Sequence, residues 1–237
     1  LVHAEGSDKV VLALDGSLAS GLLAALACDA LGPRKIEALV VDGSSAVAEL
    51  ADRLHIETRM PDFRLPVPQP GAWATESPLL LKGVEAAFLA ELARQEHALV
   101  LVPDDKTGLA LGEERMGVSG KAWAPFGDIW RSQLLDLAED RMRVSPVLPD
   151  EMLSAYVVPD IFGISQSAAT DKGRLEALDR MLAARIEDMH DMAALLDEGY
   201  PAVFVKAALH RLHDASLTRQ LLPPSFEVQN CKLSELE

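Results

Sequence analysis

A chain of 237 residues with 37 acidic and 22 basic side chains, and a formal net charge of −15, is ill suited to wrapping nucleic acid. There, neutralisation of phosphates by Lys and Arg dominates affinity. Hydrophobic residues make up 49% of the chain, enough to fill the core of one large α/β domain or two small ones, and no run reaches a membrane span's length.

In chain order, the apolar run VVLAL predicts a strand over 10–14. It leads into the turn Asp15-Gly16-Ser17-Leu18-Ala19-Ser20 and a helix over 20–31 that stops at Gly32-Pro33. A strand that runs into a Gly/Ser turn and a helix N-terminus is how α/β proteins hold phosphate. The continuous apolar run over 36–41 predicts a second strand, buried on both faces. Ser44 or Ser45 caps a helix running to Leu54, and 56–60 reads as a short third strand. Residues 61–78 hold Pro61, Pro66, Pro68, Pro70 and Pro78 and predict no regular structure. A helix over 79–95 and a strand over 98–102 follow. This alternation predicts a doubly wound parallel sheet with ligands at the carboxyl ends of its strands.

Beyond Val102 the pattern changes. Residues 103–127 read as loop-rich, 129–141 as a short helix, and 144–163 as a stretch without a clear period. Helices are expected over 170–196 and 202–212, and 222–237 reads as a loosely docked tail. The expected organisation is a single domain. Its nucleotide-binding sheet and helices cover 10–141, and a helical C-terminal part covers 142–237.

Individual residues carry competing readings. Asp104-Asp105 is either a pair of metal carboxylates or a solvated turn whose Asx side chain caps a helix starting near Lys106. Asp15 is either a metal ligand or a helix N-terminal cap that occupies the anion site with its own carboxylate. His210 and His213, with His190, have metal-compatible spacing but no supporting acidic pattern. Cys28 lies on an apolar helix and reads as core. It and Cys231 make no disulfide framework, and the amino end shows no signal peptide, so a cytoplasmic setting is expected.

Several colinear segments carry a resemblance. The turn 15–20 resembles the SGGxDS loop of the ATP-pyrophosphatase superfamily, matching at Gly16 and Ser20 and departing at Asp15, Ser17 and Ala19. The segment LVLVPDDKTGLALG (99–112) is similar to LVLGTxNKSELALG of the NAD synthetase family, and APFGDIWRSQLLDLA (124–138) to its APIGDLYKTQVYxLA. A weaker match, PPSFEV (223–228), resembles the closing PPGxKV.

The resemblance implies a Rossmann-like fold of the ATP-pyrophosphatase type. It also implies ATP-dependent amidation of deamido-NAD through an adenylate, with ATP and magnesium as cofactors and a homodimer as the assembly. Transferred residue by residue, Gly16, Ser17 and Ser20 would line the phosphate loop with Asp15 at its head. Val40 and Val41 would lie near the adenine, Lys106 would meet the phosphates, and Thr107 would supply the neighbouring hydroxyl. The family's two magnesium carboxylates fall at Ala19 and Gly108, which offer no side-chain oxygen. The family's threonine falls at Pro103, and the acidic substrate loop is reduced to 115–122 without its aspartates. These departures imply a degenerate member with weak or no catalysis, a binding or scaffolding subunit with a protein partner. The alternative is an active amide ligase whose metal site is rewired through Asp15, Asp104 or Asp105.

Overall fold

The computed structural model describes residues 7–41, 43–61, 78–113, 122–154 and 171–215, with backbone alone for 78–81. The expected tail over 222–237, most of the proline-rich stretch, the shortened loop near Gly120 and Cys231 lie outside the described residues.

Five parallel strands form one sheet. They are β1 (Val10–Leu14), β2 (Ile36–Val40), β3 (Glu57–Arg59), β4 (Leu99–Leu101) and β5 (Ala122–Trp123). Their order across the sheet is β3-β2-β1-β4-β5. In register, Val10 stands opposite Ile36 on one side and Leu99 on the other. β1 is central and buried along its whole length, which is why its sequence is continuous rather than alternating. Its side chains still divide by the period of two. Val10, Leu12 and Leu14 join the core with α1 (Leu18–Leu31), α2 (Ser45–Leu54), α5 (Arg131–Val144) and α6 (Asp150–Ser154). Val11 and Ala13 face Leu89 and Leu92 of α3 (Pro78–Glu96) on the opposite side. The doubly wound parallel sheet is therefore as the sequence predicts.

Elements differ from expectation where local pattern is weakest. Residues 103–127 contain a buried helix, α4 (Lys106–Leu111), and the two-residue β5. β3 is exposed throughout, with Arg59 paired to Glu37 and to Glu96 at 2.8 Å. A short, charged edge strand resists pairing with another chain. The helix expected over 170–196 is two helices, α7 (Asp171–Ile186) and α8 (Met192–Asp197), with Met189 between them at φ +58°. α9 (Ala202–Asp214) follows. α7, α8 and α9 share a second hydrophobic cluster with Leu109 to Leu111 of α4 and with Trp130. The helices α7, α8 and α9 thus pack onto α4.

Candidate functional site

In a sheet of order 3-2-1-4-5, the strand order reverses between β1 and β4, and ligands of such folds sit at the carboxyl ends of those two strands. Here that switch point brings together the turn 15–20 after β1 and Val102 to Asp105 after β4.

The first turn is closed on itself. Gly16 adopts φ +79°, a conformation that a side chain would resist. It swings the chain so that Ser17 caps α1, its Oγ accepting the Ser20 N–H at 3.2 Å. Asp15 Oδ1 accepts two bonds, from the Ser17 N–H at 3.1 Å and from the Ser17 hydroxyl at 2.6 Å. Asp15 is therefore not the cap but the carboxylate that holds the cap. Ser20 is fully buried and donates its hydroxyl to the Ser17 carbonyl at 3.0 Å. Val41, at the end of β2, is 44% exposed and donates its N–H to the Leu14 carbonyl at 3.0 Å.

The second turn is built from buried charge. Asp105 caps α4, accepting the Gly108 N–H at 2.7 Å, which bears out the capping reading, although Asp104 and Asp105 are buried rather than solvated. Lys106 has no exposed surface. Its Nζ donates to Asp128 Oδ1 and to Glu187 Oε1, each at 2.8 Å, and lies 5.1 Å from the centroid of the Trp130 ring. Trp130 itself donates its indole N–H to the same Glu187 oxygen at 3.1 Å. Thr107, equally buried, donates to Asp179 Oδ1 at 2.6 Å and accepts the Arg131 N–H at 2.9 Å. Asp179 Oδ2 accepts the Ser132 N–H at 2.8 Å. Burial pushes the Asp179 carboxyl above its ordinary range, against the pull of the Thr107 and Ser132 donors.

Arg131 completes the network. Its Nε donates to Asp105 Oδ2 at 2.8 Å and its Nη2 to Glu113 Oε2 at 3.0 Å. Burial opposes the guanidinium's charge, but Asp105 and Glu113 outweigh it and hold the group above its ordinary value.

Of the expected site residues, Asp15, Gly16, Ser17 and Val41 are partly accessible, whereas Ser20, Lys106 and Thr107 bond to the protein itself. Sequence reasoning missed Asp128, Glu187, Asp179 and Arg131 as partners. Asp179 did leave a signal, a carboxylate on the otherwise apolar stripe of Leu175, Leu178 and Leu182. Elsewhere, His210 pairs with Asp214 at 2.8 Å and His190 with Glu198 at 2.5 Å. Cys28 is half-buried, and burial, with Asp29 nearby, pushes its thiol up to about 11.

The magnesium implied by the resemblance does not fit this donor set. Ala19 and Gly108 supply no oxygen, and the Asp105 carboxylate is already shared between the Gly108 N–H and Arg131. A Cβ placed on Gly108 would lie 2.8 Å from Arg131 Nη2, so a guanidinium stands where a longer side chain would have to pass. Among the described residues, no group of three or more His, Cys, Asp or Glu side chains is arranged to hold a metal.

No protein-family model matches the chain. It is 24% identical over 213 residues to an NH(3)-dependent NAD(+) synthetase of Chlorobium phaeobacteroides, covering 84% of this chain and 75% of that protein. Its fold is similar to that of an NH3-dependent NAD synthetase from Campylobacter jejuni, with a TM-score of 0.66 at 18% identity, covering 95% of this chain and 92% of the other. A glutamine-dependent NAD+ synthetase from Acinetobacter baumannii, in complex with ADP, matches with a TM-score of 0.56 at 21% identity. That match covers 99% of this chain and 45% of the other, so the chain spans less than half of that protein's length. At low identity in sequence, and in fold, the chain is similar to NAD synthetases.

Proposed function

We propose that this chain is an NAD synthetase-type protein whose adenylating site is filled by its own side chains, and that it performs little or no amidation of deamido-NAD. The observation that carries this reading is the Asp15 carboxylate, which accepts both the amide and the hydroxyl of Ser17. Those are donors that a phosphate at a helix N-terminus would use. Lys106, the cation assigned to the phosphates, is committed to Asp128 and Glu187. A triphosphate arriving at this end would meet a resident anion and no accessible cation from Lys106.

Isothermal titration with ATP, with and without magnesium, tests the proposal. Weak binding, indifferent to magnesium, is expected, together with no pyrophosphate release from ATP, deamido-NAD and ammonia. Tight magnesium-dependent binding with pyrophosphate release would overturn it in favour of an active ligase with a rewired metal site. On the same reading the chain is cytoplasmic, forms a homodimer, and acts as a binding or scaffolding subunit for a protein partner. No helix among the described residues is long and apolar enough to cross a membrane.

A further inference from the structure

We infer that the guanidinium of Arg131 is the resident cation of the switch-point site and excludes a divalent metal from it. Three features of the structure converge on that residue. The first is clearance. Gly108 has no side chain, and a Cβ there would come within 2.8 Å of Arg131 Nη2 and 3.4 Å of Asp105 Oδ1. The glycine makes room for the guanidinium, and any carboxylate grown from that position would have to displace it.

The second is charge. Arg131 is only 14% exposed, and its Nε and Nη2 reach one oxygen each of Asp105 and Glu113, which stand at the two ends of α4. A planar guanidinium remains charged and matches carboxylates held at fixed positions. With Arg131 in place, a divalent ion would have to compete for the same two carboxylates while being repelled by the cation between them.

The third is the surrounding donor set. Asp15 is turned toward Ser17, Ala19 has no oxygen, and Asp128 and Glu187 neutralise Lys106. Magnesium and manganese demand several oxygen ligands in near-octahedral geometry. Asp105, Glu113, Asp128 and Glu187 are engaged by cations that belong to the chain, Lys106 and Arg131 foremost.

The inference rests on the closed-site reading for the identity of the site, and a metal titration lets the two fail separately. The probe is manganese alone, added to the nucleotide-free protein and followed by the electron paramagnetic resonance signal of the hydrated ion. The wild-type chain is expected to leave that signal unchanged into the millimolar range. Arg131→Gln, which removes the guanidinium from Asp105 Oδ2 and Glu113 Oε2 while Asp105 Oδ1 keeps the Gly108 N–H and Glu113 keeps Arg211 at 3.8 Å, is expected to bind manganese about tenfold tighter or more. Saturable sub-millimolar binding by the wild type, or no gain in Arg131→Gln, would overturn the inference.

Gly108→Ala supplies a second readout that needs no metal. It is expected to lower the melting temperature in the wild-type background and to be nearly silent beside Arg131→Gln, because the collision partner is gone. Equal losses in both backgrounds would also overturn it. Tight ATP binding indifferent to magnesium would end the closed-site reading and leave the Arg131 assignment standing. Manganese binding by the nucleotide-free chain would do the reverse.

Discussion

A buried ammonium is tolerable only while its carboxylates stay in place, and Lys106 is the largest side chain in the described structure with no exposed surface. Asp128, at 8% exposure, and Glu187, at 28%, share its charge. Lys106→Met keeps the length and loses the cation, leaving Asp128 charged in a dry environment. The expected cost is about 3–5 kcal/mol, measured as a fall in the urea midpoint at unchanged slope. Pairing it with Asp128→Asn should recover a sizeable part of that loss, since the stranded charge is removed with its partner. A Lys106→Met protein as stable as wild type would show that the network is not load-sharing. At this scale the sequence was half legible. The motif around Lys106 marked it as chemically significant, but only the fold showed that its partners come from α5's approach and from the end of α7. Nothing local in the sequence ties residue 106 to residue 187.

Among the elements, those with strong periodic or continuous apolar patterns lay close to where expected, and those defined by a neighbour did not. β5 is the plainest case. Ala122 and Trp123 are a strand only because Val100 and Leu101 present an open edge, which two residues cannot advertise by themselves. α4 showed only through its cap: the Asx reading places a helix start near Lys106, but six residues with Gly108 inside and Gly112 at the C-cap carry too little pattern to set the helix apart from the loop-rich stretch around it. In α1, by contrast, apolar residues run nearly all round the helix, as required where it packs on the sheet, α2 and α6 together. Gly21 is the point of closest approach on that helix. A Cβ there would stand 2.9 Å from Met152 Sδ, 3.2 Å from Leu148 Cδ2 and 3.4 Å from Leu50 Cδ2. Gly21→Val adds two further methyl groups to this space and is expected to destabilise by about 1–3 kcal/mol, despite valine's better helix propensity. Thermal unfolding monitored by circular dichroism checks it, and a rise in melting temperature would contradict the packing described.

For the molecule as a whole, the surface carries the remaining prediction. Around α8 and α9, Met189, Leu196 and Val203 are exposed apolar side chains, and the proposed homodimer would cover such a helical face. Light scattering at tens of micromolar is expected to return twice the 25.5 kDa of one chain, and a monomer mass would remove the dimer from the reading. The sequence by itself determined the class of fold. Continuous apolar strands alternating with capped helices leave a doubly wound parallel sheet as the economical way to bury both faces, and the Gly16 turn marks where β1 ends. It also fixed the missing oxygens at Ala19 and Gly108, since no packing can supply a side chain that is absent. Only the tertiary structure decided what fills the space. Asp15 folds back on Ser17, Lys106 turns inward, and Arg131 occupies the clearance at Gly108. The last two outcomes depend on groups 22 to 81 residues apart in the chain meeting in a dry site. There each buried charge takes the partner that the packing presents, and sequence distance has no bearing on that choice.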